Sequence, residues 1–533
     1  MSRAGQSRIF RAVVGGAAAA LVITAAPVTS ASGQAEQGPG HDRGAGQVTG
    51  KATYRHLEAF QQIADDNDGT RATGTPGYEA SGRYVERQLR KAGYRTERQY
   101  FDVETFTVDE VAIEVPGVDL DPVPFSYSSS TDGTVEAELV APSNPLGCTD
   151  AQWDGVEATG KIAVVSRGEC PFADKTVAAA EAGAAAVIVY NNTTGALNGT
   201  LGNPIEGSAP GVGVTQAEGE ALLGAMDAGP VTGSFLLQTS IETQETFNVL
   251  AETRGGDPDN VVMLGAHLDS APEGPGISDN ATGSAAVLET AIQLAKGNRG
   301  KGKGHSKHGR KHDRGPATIN NKVRFAWWGA EELGLHGSNH YVADLQANAP
   351  EELDKLAVYL NFDMVGSPNY VIGVYDANES TYEAGVEVPQ GSIEAEKVFT
   401  DHFDAIGQPW VDMEYSGRSD YAAFIDAGVA STGLFTGADG TKTEEEAALF
   451  GGTAGLTYDP NYHAAGDDIN NVSKEALDIN ARAIGAVARQ LAYSTEAING
   501  VKPPKTHPGK GHGKKKDRKD KKEKRKGPRS KRR

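Results

Sequence analysis

Five side chains of the kind that hold divalent cations stand in short contexts along the chain: His267, Asp279, Glu332, Asp363 and His463. His267 opens HLDSAPEGPGISD, which ends on Asp279, and the pair Glu331-Glu332 closes RFAWWGAEE. Asp363 lies in YLNFDMVG, and His463 follows Tyr462 in TYDPNYHAAGDD. Neutral imidazole with hard carboxylate is the donor mix that suits zinc, and a further acid beside the donors, Glu331, can take a proton from water. Two ions about 3.5–4 Å apart need a shared ligand. A carboxylate has two oxygens and can bridge where an imidazole cannot. Any one of these fragments is weak evidence, since a lone HLD or an EE pair is ordinarily structural or solvated. Their conjunction predicts a two-zinc hydrolase.

From about residue 51 to about residue 493 the pattern resembles the M28 family of zinc aminopeptidases, most closely the secreted actinobacterial leucine-type enzymes. The segments HLEAFQQIADDNDGTRATGTPGYEASGRYV and GLFTGADGTKT belong to that resemblance. It implies that Asp279 bridges the metals, that one ion adds His267 and Asp363, and that the other adds Glu332 and His463. It further implies Glu331 as general base, acting on a metal-bridging water, and Tyr462 as the donor to the oxyanion of the tetrahedral intermediate. Arg418, Phe435 and Met364 match positions near the bound peptide. Glu331 and Asp363 are acidic enough to hold a cationic α-amine, and Asp269, two residues after His267, is expected to orient that imidazole. Two departures stand out. Asn461 and Gly466 replace a disulfide that some relatives carry, which predicts a looser loop around His463. Asp478 is followed one helical turn later by Arg482, where some relatives bind calcium through a second aspartate, so calcium is doubtful here.

The elements that must position these residues alternate. Short apolar runs (FNVLAET, NVVMLGAHLDS, KVRFAWW, KLAVYLNF) are separated by helical patterns, which predicts an α/β fold with a mostly parallel central sheet flanked by helices, of the zinc-peptidase type. Ligands at strand ends fall where open α/β sheets build their sites. Residues 123–241 shift to Ala, Gly and Val and resemble an inserted, β-rich protease-associated domain, and that resemblance makes Cys148–Cys170 its internal disulfide. A βαβ unit of the catalytic sheet is the alternative. The expected organisation is a signal peptide (1–31), a disordered linker (32–50), a catalytic domain in two parts (51–122 and 242–496) interrupted by the insert, and a basic disordered tail (497–533). The Gly/Lys-rich loop 296–316 has three histidines, His305, His308 and His312, but no composition that could pack a metal shell around them.

The chain starts basic, then apolar and small, a pattern of export with cleavage near Ala31, an uncleaved anchor being the alternative. No later run is apolar for long enough to span a membrane. Two cysteines in an exported chain point to one disulfide worth about 3 kcal/mol, with two unpaired buried thiols as the other reading. The net charge of −20 hides an asymmetry: residues 501–533 carry 17 Lys or Arg against 3 Asp or Glu, a balance of +14, leaving −34 on the remainder. The acidic body argues against nucleic acid as a partner, and the tail suits anionic surface or cell-wall polymers. The reading is a secreted, monomeric di-zinc metallo-aminopeptidase acting on peptide N-termini, with large apolar residues such as leucine preferred. A family carboxypeptidase and a non-catalytic receptor or adhesion protein with the same insert are the alternatives.

Overall fold

A computed structural model describes residues 47–298 and 319–504. The expected signal peptide, the linker as far as residue 46, the basic loop from 299 with its three histidines, and the tail from 505 lie outside them. The linker was expected to run to residue 50, but it ends sooner: Val48 is buried, Thr49 caps a helix, and Gly50 begins it. Helix Thr282–Asn298 runs into the expected basic loop, and helix Glu496–Asn499, with Ile498 buried, takes the first residues of the expected tail. At the linker and the tail, buried Val48 and Ile498 and the capping Thr49 account for the difference, which composition did not reveal.

In chain order the strands are β1 (Thr96–Glu114), β2 (Val123–Pro124), β3 (Val135–Val140), β4 (Ile162–Ser166), β5 (Ala186–Tyr190), β6 (Gly211–Val214) and β7 (Thr232–Glu252). There follow β8 (Asp257–His267), β9 (Asn321–Trp328), β10 (Leu356–Phe362), β11 (Gly373–Tyr375), β12 (Val411–Met413) and β13 (Ser431–Phe435). Hydrogen bonding runs β12-β11-β13-β10-β8-β9-β7-β3-β4-β5-β6-β2, with β1 paired to β7. The central strands β9, β8, β10 and β13 are parallel, and β7 and β11 are antiparallel to their neighbours.

Successive residues of a strand face opposite sides, and both sides of this sheet are covered. Val262, Leu264 and Ala266 of β8, with Val323, Phe325 and Trp327 of β9, join a core built with helices Gly50–Asp65, Pro76–Ala92, Thr282–Asn298 and Lys474–Tyr493. Val261 and Met263, with Ala326 and Trp328, join a second core with helices His336–Asn348 and Tyr421–Asp426. That is why these strands read as unbroken apolar runs. Truncating a fully buried side chain such as Trp327 to alanine would cost about 3–5 kcal/mol.

Helix Pro76–Ala92 shows how legible its ends are. Thr75 accepts the Tyr78 amide, proline occupies the first turn, and Gly93 closes the helix at φ 101°, a left-handed conformation that glycine adopts without strain.

The insert is reached along a ribbon rather than across a linker. β1 and β7 pair antiparallel from Thr96↔Ala251 to Glu114↔Ser234. One end of β7 pairs with β9 and the other with β3. The expected border at 241/242 therefore falls inside a continuous strand. Besides its strands the insert has helices Phe172–Glu181 and Gln216–Asp227, and Cys148 and Cys170 form a disulfide. Among the described residues no helix is long and apolar enough to cross a membrane.

Candidate active site

Three adjacent parallel strands deliver the candidate residues at their carboxyl ends. His267 is the last residue of β8, Glu331 and Glu332 follow β9 after a short turn, and Asp363 follows β10 directly. The register pairs His267 with Trp328, so strand pairing itself sets the spacing between the first two groups. Asp279 lies in the turn before helix Thr282–Asn298, and His463 lies on a distant loop at φ 51°.

All five converge. His267 Nε2 is 3.1 Å from Asp279 Oδ1, 3.2 Å from Asp363 Oδ1 and 3.9 Å from Glu331 Oε2. His463 Nε2 is 3.4 Å from Asp279 Oδ2 and 2.9 Å from Glu332 Oε2. The two oxygens of Asp279 thus face different histidines, and each histidine has a carboxylate of its own. Glu332 Oε1 is buried without a hydrogen-bond partner. A recess of about 10 Å³ lined by Asp279, Glu332, His463 and Asp467 has room for about one water-sized body. A buried orphan oxygen among imidazole and carboxylate donors fits zinc.

The supporting contacts were mostly not anticipated. Asp269 was expected to orient the His267 imidazole. His267 Nδ1 lies 3.2 Å from the Asp269 carbonyl and 3.6 Å from its Oδ1, and the carboxylate also accepts the amides of Glu331 and Glu332, each at 3.3 Å. Asp467 accepts the amides of Ser278 at 2.7 Å and Asp279 at 3.0 Å. Asn280 donates to the Phe362 carbonyl and accepts from the Met364 amide, tying the Asp279 turn to the end of β10. Asp363 accepts from Ser419 at 2.6 Å, the outer end of a relay through Asn361 and Tyr359 to the Trp328 indole. Each of these helpers sits within or beside a motif already singled out, and that adjacency was the available signal.

Burial and crowding of charge set the protonation states. Burial would depress His267, but Glu331 and Asp363 hold its pKa well above the ordinary imidazole value. His463 is likewise opposed by burial, yet Asp279 and Glu332 raise it to about 11. Asp279 is held below the ordinary carboxylate range, because hydrogen bonds from His267 and His463 outweigh burial. Burial, reinforced by Asp279, pushes Glu332 up to about 7, and burial carries Glu331 well above the ordinary value despite His267. Asp420, next to Ser419, is buried and raised to about 7 by the same cause.

The remaining expected residues divide. Tyr462 stacks on His463 with ring centroids 3.8 Å apart, and its hydroxyl accepts from Arg418 at 3.4 Å. Arg418 also pairs with Asp439 at 3.2 Å. Met364 is buried and Phe435 is half-buried against the second core. Asn461 and Gly466 are neighbours, and hydrogen bonds from Asn461 to Asn471, and from Asn471 to Asp459 and Asp467, tie this loop where relatives were expected to have a disulfide. Asp478 accepts from Arg482 at 2.7 Å and from the Gly50 amide at 2.6 Å. A separate acidic group, Asp376, Glu396 and Asp412, is engaged by amides and hydroxyls of the loop 378–382.

Residues 248–488 match the model of Peptidase family M28, and residues 135–222 match the PA domain. The chain is 40% identical over 449 residues to "Probable leucine aminopeptidase 2" of Aspergillus fumigatus, covering 83% of this chain and 84% of the relative. It is 42% identical over 467 residues to "Aminopeptidase" of Pseudomonas aeruginosa, covering 84% and 81%. Among solved structures, the aminopeptidase from Aneurinibacillus sp. strain AM-1 aligns at a TM-score of 0.65 and 28% identity, covering 83% of this chain and 94% of that one. With the catalytic sheet interrupted by a PA domain and the acidic and imidazole side chains gathered at its strand ends, the chain belongs to peptidase family M28.

Proposed function

We propose that this protein is a di-zinc aminopeptidase that removes N-terminal residues from peptides, with large apolar residues such as leucine preferred. The observation that carries the reading is the division of Asp279: one oxygen faces His267 and the other faces His463. His267, Asp363 and Asp279 would hold one ion, and His463, Glu332 and Asp279 the other. When bound, zinc supplies Lewis-acid polarisation of the scissile carbonyl and a lowered pKa for water.

The chain's own groups do the rest. Glu331 sits buried beside the ligands, 3.9 Å from His267, where it can accept a proton from the attacking water and return one to the leaving amine. The Tyr462 phenol, held protonated by burial and the surrounding carboxylates, can donate to the oxygen that gains charge, and removing such a donor typically costs about 10²–10³ in rate. Glu331 and Asp363 attract a free ammonium. Arg418, the basic side chain that a carboxypeptidase would need for a C-terminal carboxylate, is already paired with Asp439. The domain borders follow the β1–β7 ribbon. Export is supported by the N-terminal pattern and by the Cys148–Cys170 disulfide, since such bonds persist in oxidising compartments. A monomer, with a basic tail touching anionic polymers, completes the reading.

The test is the release of a chromophore from leucine anilide, free or acetylated at its amine, with and without a chelator. The free amine should react, acetylation should abolish the reaction, and the chelator should stop it. Efficient cleavage of acetylated substrates would overturn the aminopeptidase assignment.

A further inference from the structure

The conspicuous run GTRATGTPG, some two hundred residues ahead of the first ligand, has no part in the mechanism above. Arg71 within it is completely buried. Its guanidinium donates from Nη1 to the Leu268 carbonyl at 2.5 Å, from Nε to Pro275 at 2.8 Å and from Nη2 to Gly276 at 2.5 Å. Leu268 follows His267, and Gly276 lies three residues before Asp279. One rigid fork therefore joins the two segments that carry the first histidine and the shared carboxylate. Among the described residues no carboxylate comes within ion-pair distance of Arg71, so a lone cation is held in the interior by carbonyls. Such burial is costly unless several well-aimed acceptors offset it, and the planar fork is what distinguishes arginine from lysine. Burial lowers its pKa only to about 10, with Asp467, Asp269, Asp279 and Glu332 opposing the fall, so it stays charged at neutral pH.

Two residues on, Thr73 repeats the arrangement for the neighbouring loop. Its hydroxyl accepts the Ala330 amide at 2.9 Å and donates to Asp269 at 3.2 Å, the same carboxylate that holds the amides of Glu331 and Glu332. The Arg71 amide and the Thr70 hydroxyl both meet Ser270.

We propose that residues 70–73 form a positioning brace for the metal centre, with Arg71 fixing the His267 and Asp279 segments and Thr73 fixing the Ala330–Glu332 turn. The inference rests on the di-zinc reading, and it adds residues that touch neither metal nor substrate. A purely architectural role would lower stability without changing how tightly the folded protein holds zinc or how fast it turns over.

The experiment compares full-length wild type with Arg71→Lys, Thr73→Val and Thr73→Ser. Zinc affinity is read by competition with a chromophoric chelator, kcat and KM on leucine anilide, and folding by the melting of the metal-free protein. Arg71→Lys keeps the charge but loses the fork, and should weaken zinc about 10–100-fold, the usual cost of removing an outer support. Thr73→Val should lower kcat about tenfold with KM and zinc content nearly unchanged, and Thr73→Ser should restore it. Wild-type affinity and kcat in folded Arg71→Lys would overturn the proposal. Should Arg71→Lys fail to fold, the threonine pair decides: Thr73→Val equal to wild type, or Thr73→Ser no better than Thr73→Val, would overturn it. A wild-type protein that binds no zinc would instead sink the di-zinc reading, and that arm is read separately.

Discussion

His267 and His463 face opposite oxygens of the same aspartate, yet their surroundings differ in kind. His267 is 1% exposed at the end of a central strand, with Asp363 just past the end of the adjacent strand, whereas the His463 side chain is 40% exposed on a loop. The first half of the site inherits its geometry from the sheet. The second depends on hydrogen bonds through Asp459, Asn461, Asp467 and Asn471. The difference implies that the sheet-held half binds metal more tightly and that the loop-held half fills second, because a preorganised site spends less free energy on ordering its ligands.

The strongest way to break the comparison is at the shared residue. Asp279→Ala should lose both metals, and anilide turnover should fall at least about a thousandfold. Elemental analysis showing one retained zinc would mean that the halves do not share a ligand. Glu331→Gln should keep two zinc ions per chain while kcat drops about 10²–10⁴-fold, since it removes a proton acceptor and no ligand. Two bound zinc ions with near-normal turnover would exclude it as the base.

The two histidines separate the halves. His463→Ala should retain one zinc and, metal-free, lose less stability than His267→Ala, since the His463 side chain is 40% exposed although it too pairs with buried Asp279 and Glu332. His267→Ala leaves Asp279, Asp363 and Glu331 buried without their imidazole, and breaking such a pair costs about 3–5 kcal/mol. Equal melting of the two variants would contradict the contrast between sheet and loop.

A smaller effect concerns protons. His463 is raised to about 11 in the metal-free protein, so it is charged at pH 7 and must lose its proton to bind zinc. Zinc uptake in weak buffer should therefore acidify the solution, and affinity should fall about tenfold per pH unit for each proton displaced as the pH is lowered. Metal binding without proton release would place His463 outside the coordination sphere.

The sequence carried much of this, unevenly. The five candidate donors that converge were legible because each sits in a short local motif, and the central strands were legible because burial on both faces leaves unbroken apolar runs. The supports were not. Asp467 reaches the Asp279 amide across 188 residues, and Arg71 reaches Gly276 across 205, pairings that no local pattern encodes. Asp269 lies against the His267 imidazole, as nearness in sequence suggested, but its carboxylate also accepts two amides on the next strand's turn, which no local pattern suggests. The border of the insert was read from composition, which changes along β7, whereas the strand itself runs unbroken from Thr232 to Glu252.

The central claim is that two ions share one carboxylate. Metal-free protein titrated with zinc, with bound metal and leucine anilide turnover followed together, tests it most directly. No turnover at zero zinc, saturation at two equivalents, and a tighter and a weaker site are expected. Full turnover without zinc, or saturation at a single equivalent, would contradict it.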